Sequence, residues 1–189
     1  LVALGGEGVE IRRLTAIVWR DADGDAAHAS FTNALHRLRK LLGDDSLLDL
    51  REGRLSLDLT RCWVDALAFD AWCRRDEILS GEPRAATDRL LDLYRGQFLP
   101  QESDAQWAAP ARDRLRSQFE RQVLRLGDRL EAERDHASAM NLYRRAIEIE
   151  SLTETFYQLL MRVQAATGAT AEALLTYRRC RDLLSIVLG

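Results

Sequence analysis

The feature that most constrains this chain is that part of it repeats itself. Leu126, Ala139, Tyr143, Arg144, Arg145 and Ala146 are matched 34 positions later by Leu160, Ala173, Tyr177, Arg178, Arg179 and Cys180. That spacing is the tetratricopeptide period: each repeat holds two short helices, which cannot bury their apolar face alone and must stack on a neighbouring pair. Small residues at Gly127, Ala139, Ala146 and Ala173 are expected where the two helices of a hairpin approach closely, with Tyr143 and Tyr177 filling the gap to the next hairpin. Met161, Gln164 and Cys180 stand where a small residue, a bulky apolar one and an alanine are more usual. They predict a looser or capping final repeat.

The surrounding sequence agrees with a helical architecture. Hydrophobic residues make up 47% and charged residues 30%, enough apolar surface for a core, and only three prolines interrupt helix. Apolar spacing predicts helices over residues 64–79, 84–94, 110–133, 137–150, 153–167 and 171–188. Gly81-Glu-Pro83, residues 96–110 and Thr167-Gly-Ala-Thr170 are the breaks. No run approaches the roughly 20 apolar residues needed to span a bilayer, and no signal segment opens the chain. Cys62, Cys73 and Cys180 match neither a disulfide framework nor a zinc spacing, so a cytoplasmic protein with reduced, mostly buried cysteines is expected. Leu1 is not a methionine and the chain stops in an apolar stretch, which suggests a piece of a longer polypeptide.

The first third of the chain reads differently. Gly5, Gly6 and Gly8 break an apolar run, and Ile11, Leu14, Ile17 and Val18 then predict a short helix over residues 9–19. Asp21-Ala-Asp-Gly-Asp25 is a turn rich in capping residues before a second helix over 26–42. On that helix Phe31, Leu35, Leu38 and Leu42 form one stripe, the expected buried face. Ala29, Asn33, His36, Arg37 and Lys40 gather opposite, with Thr32 and Arg39 on a flank. Residues 26–42 carry three cations and no acid, so a net charge of -3 conceals a locally basic element. Gly43 ends the helix, and Leu48, Leu50, Leu55, Leu57 and Leu59 alternate with polar residues around Arg51-Glu-Gly-Arg54, predicting a hairpin turned at Gly53. Helix, turn, helix and hairpin in this order describe the C-terminal part of a winged helix.

The expected fold is therefore mainly α, a truncated winged helix-turn-helix over residues 1–62 followed by a tetratricopeptide-like repeat domain over 63–189. At this point the chain resembles the bacterial transcriptional activator domain family of antibiotic regulatory proteins and large ATP-dependent regulators. The resemblance is carried by Ala34-Leu-His-Arg-Leu-Arg-Lys-Leu-Leu-Gly43, Val64-Asp-Ala-Leu-Ala-Phe69, Leu93-Tyr-Arg-Gly-Gln-Phe-Leu-Pro100, Trp107-Ala108, Leu160-Met-Arg-Val-Gln-Ala-Ala-Thr-Gly168 and residues 173–181. It implies transcription regulation, with 26–42 similar to a recognition helix and Arg51 to Arg54 to a wing. It also implies partners: double-stranded DNA at a promoter site, a protein such as RNA polymerase or another regulator domain, and a second copy of the chain. The family's winged helix opens with a sheet and a first helix, of which residues 1–4 are at most the tail.

Arg favours guanine edges and Asn adenine edges in the major groove, so Asn33 and Arg37 are candidates for base reading. His36, Arg39 and Lys40 suit phosphates, as do Arg51 and Arg54 on the wing, although a solvated helix face and a plain surface hairpin present the same residues. On the first helix of each repeat hairpin, Gln122, Arg125, Arg129, Gln158 and Arg162 are candidates for a partner-binding concave surface. His28, His36 and His136 lack ligand spacing, Ser30 and Ser103 lack a nucleophile setting, and Gly5-Gly-x-Gly8 lacks the lysine of a phosphate loop. No enzyme activity, metal or cofactor is expected.

Overall fold

The computed structural model describes residues 1–75, 81–102 and 104–188. Ser103 and the end of the helix expected over 64–79 lie outside the described residues. Within them the protein is predominantly helical, with one small antiparallel sheet near the N-terminus in the strand order β1-β3-β2. This is the winged helix-turn-helix plus helical-repeat architecture.

A 3-10 turn at Val2–Leu4 leads into β1, Val9–Glu10. The first two residues of the expected 9–19 helix are thus a strand, because Val9 pairs with Leu55 and Glu10 with Arg54. Helix α1 spans Ile11–Val18 and α2 Gly24–Leu42. Strands β2, Leu48–Arg51, and β3, Arg54–Leu57, form the hairpin, Leu48 facing Leu57 and Arg51 facing Arg54. Its two-residue turn takes positive φ at both Glu52 (49°) and Gly53 (73°), the twist that matches antiparallel strands. Val9, Leu14, Phe31, Leu35, Leu48 and Leu55 make the core of this unit.

The apolar stripe of α2 is corrected here. Ala27, Phe31 and Leu35 are buried, whereas Leu38 and Leu42 are 41% and 43% exposed. In the last turns it is Arg39, on the flank of the stripe, that turns onto β2, and the leucines stay outside the small core. Val18, expected on the buried side of α1, is 59% exposed.

The remaining helices are α3 Asp65–Arg74, α4 Pro83–Leu93, α5 Ala109–Ala132, α6 His136–Ile149, α7 Glu154–Ala166 and α8 Thr170–Leu188. They share a second core whose aromatic spine is Phe69, Tyr94, Phe119 and Phe156, with Tyr94 stacked on Phe119 at 4.4 Å. The two cores meet where Leu67 of α3 lies on Gly6. A Cβ at Gly6 would come within 2.7 Å of the Leu67 side chain, and Gly6 also holds a φ of 81°.

The repeat period is visible in the backbone. Arg134 N donates to Glu131 O and Asp135 N to Leu130 O; one period later Gly168 N donates to Ala165 O and Ala169 N to Gln164 O. Each pair closes the first helix of a hairpin on a left-handed residue, Arg134 (φ 61°) or Gly168 (φ 82°).

Candidate nucleic-acid interface and repeat surface

Helix α2 is delimited by its own sequence. The Asp23 carboxylate accepts from Ala26 N at 2.8 Å, and Gly43, at φ 72°, closes the other end by donating to Arg39 O. Asp25 in the first turn and Lys40 in the last complement the helix dipole. With Ala27, Phe31 and Leu35 inward, Asn33, His36, Arg37 and Lys40 are brought together on one exposed face. Among the described residues Arg37 and Lys40 hold no ion pair.

Arg39 is not part of that face. Its Nη2 donates to Leu48 O at 2.6 Å and its Nε is buried, so this guanidinium ties α2 to β2. The wing arginines are also engaged. Arg51 pairs with Asp49 at 2.8 Å, and Arg54 pairs with Glu10 at 3.0 Å while donating to Gly8 O. A cleft of about 510 Å³ lies between the wing turn and the first turns of α1 and α2, lined by Glu10, Arg12, His28, Glu52, Gly53 and Arg54. No local pattern marks Arg12 and His28, because only the β1–β3 pairing carries the wing to the start of α1.

On the repeats one expectation is overturned. Gln122 is fully buried and cannot face a partner in solution. Its side chain sits deep in α5, beside Cys73, whose thiol burial pushes up to about 11. Arg129 is held by Gly81 O at 2.8 Å, and Arg125 is half-buried. Gln158 is exposed and donates to Glu154. Arg162 reaches back across the hairpins to Glu131 at 2.8 Å, the same carboxylate that accepts from Tyr143 Oη at 2.7 Å. Tyr143 therefore meets Gly127 and Glu131 of its own hairpin at the carboxylate that Arg162 of the next one also reaches. A Cβ on Gly127 would lie 2.0 Å from its hydroxyl, so the glycine is what admits the ring.

The run from Tyr94 to Pro100 is a corner held by hydrogen bonds. Tyr94 is buried and donates to Glu150 at 2.6 Å, and burial together with that carboxylate raises its phenol above the ordinary range. Gly96 (φ 153°) turns the chain, and Arg112 clamps the segment through Phe98 O at 3.0 Å and through Glu102 O. Leu99 is left at φ 52°, a conformation disfavoured for a branched apolar residue. A cleft of about 560 Å³ lies against this corner, lined by Phe69, Tyr94, Phe98, Leu99 and Leu115 with Asp65 and Arg95 at its edge.

The chain thus joins a small winged-helix unit to stacked helical hairpins. The model of the bacterial transcriptional activator domain matches residues 64–189, and the chain belongs to that family, a family of transcription regulators. No curated protein matches the chain. No helix among the described residues is long and apolar enough to cross a membrane.

Proposed function

We propose that the chain is the DNA-reading and assembly portion of a cytoplasmic transcriptional regulator, without catalytic activity of its own. The observation that carries this reading is the exposed face of α2, where Asn33, His36, Arg37 and Lys40 stand together with no acid among them. A helix with that face fits the major groove; Asn33 and Arg37 then read base edges, and His36 and Lys40 hold phosphates. Arg39 is left out of the contact set because its guanidinium is spent on Leu48 O. Fluorescence anisotropy on duplexes selected from a random pool tests it. Arg37→Ala and Asn33→Ala should each weaken the selected site by about 1 to 3 kcal/mol and relax sequence preference, whereas Lys40→Ala weakens all sequences alike. Wild-type affinity in the Arg37 and Asn33 variants would remove the reading.

A second reading, a protein-interaction or effector-sensing module without DNA binding, is favoured by the cleft against the Tyr94–Pro100 corner. There the repeats would receive RNA polymerase, another regulator domain or a second copy, with Gln158 and Arg162 exposed elsewhere on the repeat surface. Salt separates the two, since DNA contacts through several cations weaken steeply with ionic strength and an apolar contact does not.

A further inference from the structure

Resting on the DNA-reading role proposed for α2, we infer that the wing is an acid-screened element that limits DNA affinity, and that Glu52 keeps it off the phosphate backbone. The pairing is the first ground. Arg51 lies on Asp49 and Arg54 on Glu10, while Arg61 just beyond the hairpin lies on Asp44 at 2.7 Å. Exposed pairs of this kind open easily, so pairing alone would not hold an arginine from a phosphate. What is left when they open decides the matter. Glu10, Asp49 and Glu52 stand against Arg51, Arg54 and the Arg12 that shares the cleft, so the wing offers a phosphate no net positive charge. The wing then adds little where α2 attracts.

The backbone is the second ground. Glu52 opens a turn in which both central residues have positive φ, a position that Asn, Asp and Gly occupy at far lower strain. Its side chain is exposed and holds no hydrogen bond or ion pair among the described residues. Neither conformational preference nor a contact accounts for a glutamate there, and its charge remains. The third ground is position. Glu52 lines the same cleft as Arg12 and His28, so its carboxylate lowers the positive potential where the first turns of α1 and α2 meet the wing.

The test compares Glu52→Asn with Glu52→Asp in the 189-residue chain. Both relieve the turn, and only Asn removes the charge. Anisotropy against a selected duplex at several salt concentrations should show Glu52→Asn tightening Kd about threefold to tenfold at low salt, with a salt slope steeper by about 1. Glu52→Asp, which keeps the charge, should stay within about twofold of wild type. Thermal melts of each variant check that the fold is kept. Equal tightening by Asp and Asn places the effect in the backbone and overturns the inference. So does a Glu52→Asn variant that binds within about twofold of wild type, which leaves the α2 reading intact. Failure of the α2 reading has its own signature, an Arg37→Ala variant that binds as wild type or no saturable binding at all, and it removes both.

Discussion

The two hairpins carry the same repeat signature and reach different ends. Tyr143 is fully buried, its ring laid on Gly127 and its hydroxyl bonded to Glu131, while Tyr177 is 52% exposed. The difference lies on the partner helix. Where the first hairpin has Gly127, the second has Met161, a long side chain packed on the core at the position where the first leaves room for a ring. The first hairpin is also covered on both sides, by α4 before it and α7 after it, whereas α8 packs on α7 alone among the larger contacts. A repeat motif thus specifies hairpin geometry, and the residue at the close-approach position decides whether the aromatic becomes core.

The largest effect expected from this comparison is the contrast between Tyr143→Ala and Tyr177→Ala. The first should lower stability by about 3 to 5 kcal/mol and the second by no more than about 0.5 kcal/mol, read from denaturant midpoints. Similar values for the two would break the comparison. Next is Ala139→Arg, which forces a long charged side chain into a fully buried site and should cost about 1 to 3 kcal/mol or more. Ala173→Arg, at the half-buried equivalent, should cost distinctly less.

The hairpins should also part under acid. Asp135 caps α6 and accepts from Arg84 Nε at 2.6 Å, and these bonds, Arg84 first, hold its carboxyl at about 2 against an ordinary 3.8. A depressed carboxyl stabilises the fold fully above its unfolded value and loses that contribution as pH falls through the folded one. The first hairpin should therefore loosen between about pH 4 and pH 2, with an acid limb of the melting profile that Asp135→Asn flattens. Ala169 holds the equivalent place in the second hairpin and can have no such limb. The smallest effect is at the left-handed closing residue. Arg134→Gly should stabilise by about 0.5 to 1 kcal/mol and Gly168→Arg should destabilise by a similar amount, both visible as small melting shifts.

Much of this is legible in the sequence. Helix ends from Pro83 onward fall within one position of the periodicity, because caps and breakers are local. The hairpin turn, the exposed face of α2 and the looseness of the last repeat are legible for the same reason. The misses share another cause. Residue type alone points Gln122 outward, yet it lies where α3 and α5 close on each other. Leu38 and Leu42 obey the helical period and are still exposed, since periodicity says which way a side chain points and not how much of it the rest of the fold covers. The wing arginines look like free cations in the sequence because their carboxylate partners come from a neighbouring strand position, Asp49, and from β1 at the far end of the unit, Glu10.

By itself, then, the sequence determined the order of elements, the geometry of the repeated hairpins and the polarity of each helix face, all of which depend on residues within one or two helical turns of each other. Only the tertiary structure decided which cations remain free. Arg39 is turned onto β2, Arg54 onto β1 and Arg162 onto the preceding hairpin, while Arg37 and Lys40 face outward. The physical reason is that an ion pair or a buried contact is set by through-space distance, and distance between elements far apart in the chain is not written in any local pattern.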